Sequence, residues 1–200
     1  MIKQNCRDAA PGVPLEEENQ MNQGNILDND NKHDVFEWDS LGDITGGRGE
    51  LGEDMPVLVY RLLLFTLLDV LSKAHGREQA NDYFRKAGYL AGSEFARNTL
   101  DLSVEFKEFV TNLQSSLETL KIGVLHTESY DPDNGSIVLT VEKDLDCSGL
   151  KNTSETVCNY DEGFISGILE AYTGQKYLVS EVDCWANGDK LCRFNGAVVG

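Results

Sequence analysis

Basic residues are scarce in this chain. Lys and Arg number 17 against 34 Asp and Glu, giving a net charge of −17. Such a charge repels phosphate backbones and anionic bilayers, so direct binding to nucleic acid or to a lipid surface is not expected. No apolar core of a secretory signal opens the sequence; residues 1–34 are polar and acidic. The apolar stretch 57–71 is interrupted by Arg61 and Asp69, whereas a membrane span needs about 20 uninterrupted apolar residues. Histidine occurs three times, at His33, His75 and His126. Neither a Ser–His–acid set nor a pair of catalytic carboxylates can be argued from spacing, so no enzyme is expected. The glycine-rich run 45–52 lacks the preceding strand and the following Lys-Ser/Thr of a phosphate loop and reads as a flexible loop.

What the chain does have is a cluster of cysteines near its end. Five cysteines are an odd number in a chain without an export signal, which favours a reducing cytoplasm and metal-bound or free thiols over disulfides. Cys158, Cys184 and Cys192, with Glu181 three positions before a cysteine, could close a tetrahedral shell around zinc if the fold brings Cys158 to the hairpin. Cys184 and Cys192 flank Asn187-Gly188-Asp189, which places both at one end of that hairpin. In a regular strand Glu181 and Cys184 would point to opposite faces, so sharing an ion requires Cys184 at a strand end or beside a bulge. Cys147 is the alternative fourth ligand. An all-cysteine set suits structural zinc and also an iron–sulfur cluster. A closed shell of four protein ligands leaves no position for a reacting water, so the metal is read as structural.

Along the chain, residues 1–34 bury too little apolar surface to offset ordering entropy and are expected to be disordered. Residues 35–55 form a linker or docking arm around Phe36, Trp38 and Leu41, and the folded domain covers 56–198. Asp54 and Pro56 read as a helix start. The helix that follows is apolar almost all round and must be covered on most sides, which points to a partner subunit. A second helix over about 78–100 carries Tyr83, Phe84 and Phe95 inward. Its small pairs Ala87-Gly88 and Ala91-Gly92 admit another backbone or a ligand. A third amphipathic helix spans 104–120. Strands over 122–130 and 136–145, a helix over 161–172 and a hairpin over 177–199 complete an α+β domain, with its helices packed on one antiparallel sheet. His126, in the first of these strands, is a candidate pocket residue together with Tyr83, Ala87, Gly88 and Ala91.

The segment from Cys158 to Gly167 and the ending from Glu181 to Phe194 resemble the 4-vinyl reductase domain family. That family includes the sensor domain of aromatic-responsive transcription activators and is similar in fold to small subunits of the transport protein particle. In the aromatic sensors three cysteines and a glutamate hold zinc, at the spacing shown here by Cys158, Glu181, Cys184 and Cys192. The resemblance implies a cytoplasmic, non-enzymatic module that binds a small apolar or aromatic molecule. It also implies a dimer through the helix 57–75, and an output domain on a separate polypeptide. The alternative is a redox or gas sensor carrying an iron–sulfur cluster on the cysteines, or haem or another tetrapyrrole in the pocket.

Overall fold

The computed structural model describes residues 36–199. The acidic stretch 1–34, expected to be disordered, lies outside them. A short helix α1 (Ile44–Arg48) precedes three long ones: α2 (Val57–His75), α3 (Arg77–Thr99) and α4 (Phe106–Thr119). Strands β1 (Val124–Asp131) and β2 (Ser136–Glu142), helix α5 (Asn159–Thr173), and strands β3 (Tyr177–Asp183) and β4 (Cys192–Val198) follow. The sheet is antiparallel throughout, in the order β1-β2-β4-β3.

Its buried face can be read off the register. Leu125 pairs with Val141, Val141 with Cys192, Leu139 with Phe194, and Glu181 with Phe194. All of these are buried, while Leu178 and Val182 emerge on the other face. One covered and one open face is the usual economy of an antiparallel sheet. Helices α4 and α5 supply the cover. Leu113 and Leu117 of α4 and Ile165, Ile168 and Leu169 of α5 join the sheet residues in one apolar core. The helices thus lie over a single antiparallel sheet, the α+β arrangement expected from sequence.

Helix α3 reaches this core only because α5 lets it approach. A Cβ added at Gly88 would stand 2.0 Å from the Tyr160 carbonyl oxygen, and one added at Gly163 would stand 1.9 Å from that of Arg85. Gly92 and Gly167 are equally close to the opposing backbone. Two four-residue glycine steps therefore face each other, and the helices pack backbone against backbone. Helix α2 packs on α3 through a small satellite of Leu68, Ala80 and Phe84. Most of its remaining apolar side chains are exposed, including Leu58, Leu62, Leu63 and Val70. Among the described residues no helix is long and apolar enough to cross a membrane.

Two local readings differ from the sequence. The glycine-rich stretch 45–52 is not a loop: Asp43 accepts from the Gly46 amide at 2.8 Å and starts α1, with a short 3₁₀ turn after it. Asp54 does not cap α2. Pro56 occupies the position before the first helical residue, and the Asp54 carboxylate instead meets Lys121 at 2.7 Å. Trp38 packs against the main core.

Candidate metal centre

Four separate elements deliver the cysteines. Cys147 sits in the loop after β2, where Asp144 Oδ1 accepts from the amides of Asp146 (2.8 Å) and Cys147 (3.0 Å) and so folds the chain into a tight turn. Cys158 occupies the N-cap position of α5. Cys184 lies one residue beyond β3, next to a register shift between Glu181 and Asp183. Cys192 opens β4 opposite Val141. The strand end and the irregularity beside it are the conditions under which Cys184 can turn toward Cys158.

All four thiols are free and buried, and their sulfur atoms lie within 4.8 Å of one another. Cys158 Sγ is 3.8 Å from both Cys184 Sγ and Cys192 Sγ, and Cys147 Sγ is 3.1 Å from Cys192 Sγ. Zinc–sulfur bonds of about 2.3 Å give a tetrahedron with edges of about 3.8 Å. The donor set therefore fits one zinc-sized ion. With no ion to share their charge, four thiols this close cannot all ionise. The thiols of Cys147, Cys158 and Cys192 donating to Cys184 hold it well below the usual thiol range, whereas Cys158 and Cys192 are pushed up, first by Cys147.

Glu181 is engaged beside the sulfurs. Its Oε2 accepts from the Cys158 amide at 3.0 Å, and its Oε1 is buried without a hydrogen-bond partner. Burial, and then Cys184, raise its pKa to about 8. The Glu181 amide donates to Glu162 Oε1 at 2.8 Å, and Arg85 Nε donates to Glu162 Oε2 at 2.5 Å. Arg85, Glu162 and Glu181 thus tie α3, α5 and β3 together at the foot of Cys158.

More carboxylates surround the thiols than the sequence signalled. Asp144, Cys158 and Asp161 form a second close group, and Asp161 Oδ2 has no partner. Asp146 rises to about 7, through burial and the neighbouring Asp144 charge. Asp146 in turn accepts from the Tyr60 hydroxyl, and Arg61 donates to the carbonyls of Leu145 (2.8 Å) and Ser148 (2.9 Å). No spacing pattern links residues 60–61 to 144–148, so sequence reasoning had no route to them. The Asp144-Leu145-Asp146-Cys147 turn was the one readable clue.

The candidate pocket residues scatter. The His126 side chain is half exposed, 3.7 Å from Glu142. Tyr83 is exposed and meets His75 edge-on at 5.6 Å. Ala87 is also exposed, Ala91 is half-buried, and Gly88 is closed off by α5. The interior cavity lies elsewhere, between α4, α5 and the sheet. Leu113, Leu117, Leu139 and Ile165 line it, with Asp144 and Asp161 at its polar margin.

Residues 137–197 match the family model of the 4-vinyl reductase domain. Three solved structures share the fold. The phenol-responsive sensory domain of the transcription activator PoxR, with phenol, superposes with a TM-score of 0.59 at 18% identity, covering 74% of this chain and 78% of that one. A vinyl-4-reductase family protein from Methanocaldococcus jannaschii gives 0.56 at 14% identity, over 84% and 100%. A trafficking protein particle complex subunit 3 from Naegleria fowleri, covalently bound to palmitic acid, gives 0.55 at 13% identity, over 72% and 98%. Residues 137–197 are thus a 4-vinyl reductase domain, set in a chain with the fold of the vinyl-4-reductase family protein.

Proposed function

We propose that this chain is a cytoplasmic small-molecule sensor or binding module, dimeric through α2 and pinned by one structural zinc ion, and that it is not an enzyme. The observation that carries this reading is the set of four buried sulfurs at tetrahedral spacing. Cys147, Cys158, Cys184 and Cys192 would hold the ion as thiolates, and the ion would supply cross-linking of the hairpin to α5 rather than reactivity. Glu181 then acts beside the shell by holding the Cys158 amide. Sulfurs confined within 4.8 Å leave room for one ion and not for several irons bridged by sulfide.

The ligand site in this reading is the cavity between α4, α5 and the sheet. Its free volume is about 40 Å³, on a scale where one water needs about 10–15 Å³. A ring-sized apolar ligand therefore enters only as the lining leucines move aside, and a tetrapyrrole is far too large. The likeness to a phenol-responsive sensory domain favours a small aromatic occupant. The exposed leucines of α2 favour a second copy as its cover, since a contiguous apolar patch on a soluble protein marks an interface.

Elemental analysis of protein produced without added metal tests the core of this reading. About one zinc per chain in a colourless protein is expected. Brown or red protein with stoichiometric iron overturns it in favour of iron–sulfur or haem chemistry.

A further inference from the structure

One place on this acidic chain runs against its charge. Arg61, Lys121, Lys143 and Lys190 line a single open groove of about 480 Å³, together with Val57 and Trp185. Four of its ten lining residues are basic, in a chain with 17 Lys and Arg among 200 residues. They come from α2, the turn after α4, the loop after β2 and the turn between β3 and β4. No basic stretch of sequence produces this convergence; the tertiary fold does.

The four cations are not equivalent. The Arg61 guanidinium is held by the carbonyls of Leu145 and Ser148, and Lys121 is met by the exposed Asp54. Lys143 and Lys190 form no ion pair among the described residues. Lys121 and Lys143 also stand at φ +61° and +54°, two of only three non-glycine residues with positive φ among those described. Glycine or asparagine would take that conformation at less cost, yet lysine is used at both. The two acids of the groove are engaged elsewhere. The Glu142 carboxylate lies near His126, and Asp144 Oδ1 accepts two backbone amides.

Trp185 sets the shape of the occupant. It is 37% exposed, which leaves part of an indole uncovered beside two free ammonium groups. An indole face offers stacking to a flat apolar group, and an ammonium about 4 Å from an anion contributes roughly 1 kcal/mol in water and several times more where water is partly excluded. We propose that this groove binds a small anion carried on a flat apolar body, such as an aryl phosphate, sulfonate or carboxylate. Lys143 and Lys190 pair with its charge and Trp185 stacks on its ring. The site lies against the loop that carries Cys147 but replaces none of the sulfurs, and it stands whether or not the cluster holds zinc.

A rival account is that these cations only offset the negative charge of four thiolates and the nearby carboxylates. Both are tested with Trp38→Phe protein, in which Trp185 is the sole tryptophan, since the chain has two. Phenyl phosphate and inorganic phosphate are titrated at low ionic strength while indole fluorescence is followed. Phenyl phosphate is expected to quench saturably and to bind more tightly than inorganic phosphate. Lys143→Glu and Lys190→Glu are each expected to weaken it about tenfold or more with the circular dichroism spectrum unchanged. The proposal is overturned by absence of saturable quenching at about 10 mM ligand, weaker than any affinity worth calling a site. It is overturned equally if quenching ignores both charge reversals, or if inorganic phosphate binds as well as its phenyl ester. Should the reversals release zinc and leave phenyl phosphate binding intact, the rival account holds instead.

Discussion

The Tyr60 hydroxyl donates to Asp146 Oδ1 at 2.7 Å, across 86 positions of sequence and one residue away from Cys147. Arg61 grips the same turn through the carbonyls of Leu145 and Ser148. The first turn of the exposed apolar helix α2 is therefore fastened to the loop that presents one of the four sulfurs.

That fastening makes Tyr60 and Arg61 positioning residues for the metal. Partners that orient ligands from outside the shell typically contribute ten- to a hundredfold in affinity. Tyr60→Phe and Arg61→Ala are expected to weaken zinc binding by about tenfold, measured by competition with a chromogenic chelator. Unchanged affinity in both would mean that α2 and the metal site are independent.

The fourth ligand can be decided by paired substitutions. Cys147→Ser is expected to lose stoichiometric zinc and to lower the melting temperature, because metal affinity is folded into stability. Glu181→Gln is expected to retain one zinc per chain and to cost about 1–3 kcal/mol, from a poorer partner for the buried Cys158 amide. The opposite pattern would make Glu181 the ligand.

At the α3–α5 contact, no side chain is tolerated. Gly163→Val places atoms where the Arg85 carbonyl oxygen would be 1.9 Å from Cβ. Overpacking of this kind costs roughly 1–3 kcal/mol or more, since neither helix backbone can move alone. A denaturant titration should show that loss, whereas Ala87→Ser on the exposed side of α3 should stay within about 0.5 kcal/mol.

Association through α2 has its own test. Leu58→Glu combined with Leu63→Glu puts two charges into the exposed apolar face of α2. Covering a leucine contributes about 1.5–3 kcal/mol, so the pair should shift a dimer toward monomer in sedimentation velocity without loss of helicity. A species of unchanged mass would place the interface elsewhere.

Much of the architecture was legible because local patterns suffice for it. The apolar period of α4, the turn at Asp131–Gly135 and the glycine after His75 each act within a few residues, and the observed elements lie close to those expected. The Ala-Gly pairs of α3 were legible only as small; that α5 presents matching glycines against them is a fact about packing. His126 could not be assigned a face from alternation alone, and it faces outward. For Glu181, the period of two correctly warned of conflict with Cys184, and the irregularity after Glu181 is how the chain resolves it.

By itself, the sequence determined the acidic character, the order of helices and strands, and the three late cysteines that had to meet if they were to hold an ion. Which fourth sulfur joins them, which carboxylates crowd around them, and where four distant cations converge were decided only by the tertiary structure. The physical reason is distance along the chain. Periodicity and turn chemistry act over a few residues, while Cys147 meeting Cys192, Tyr60 meeting Asp146 and Arg61 sharing a groove with Lys190 depend on how the layers close.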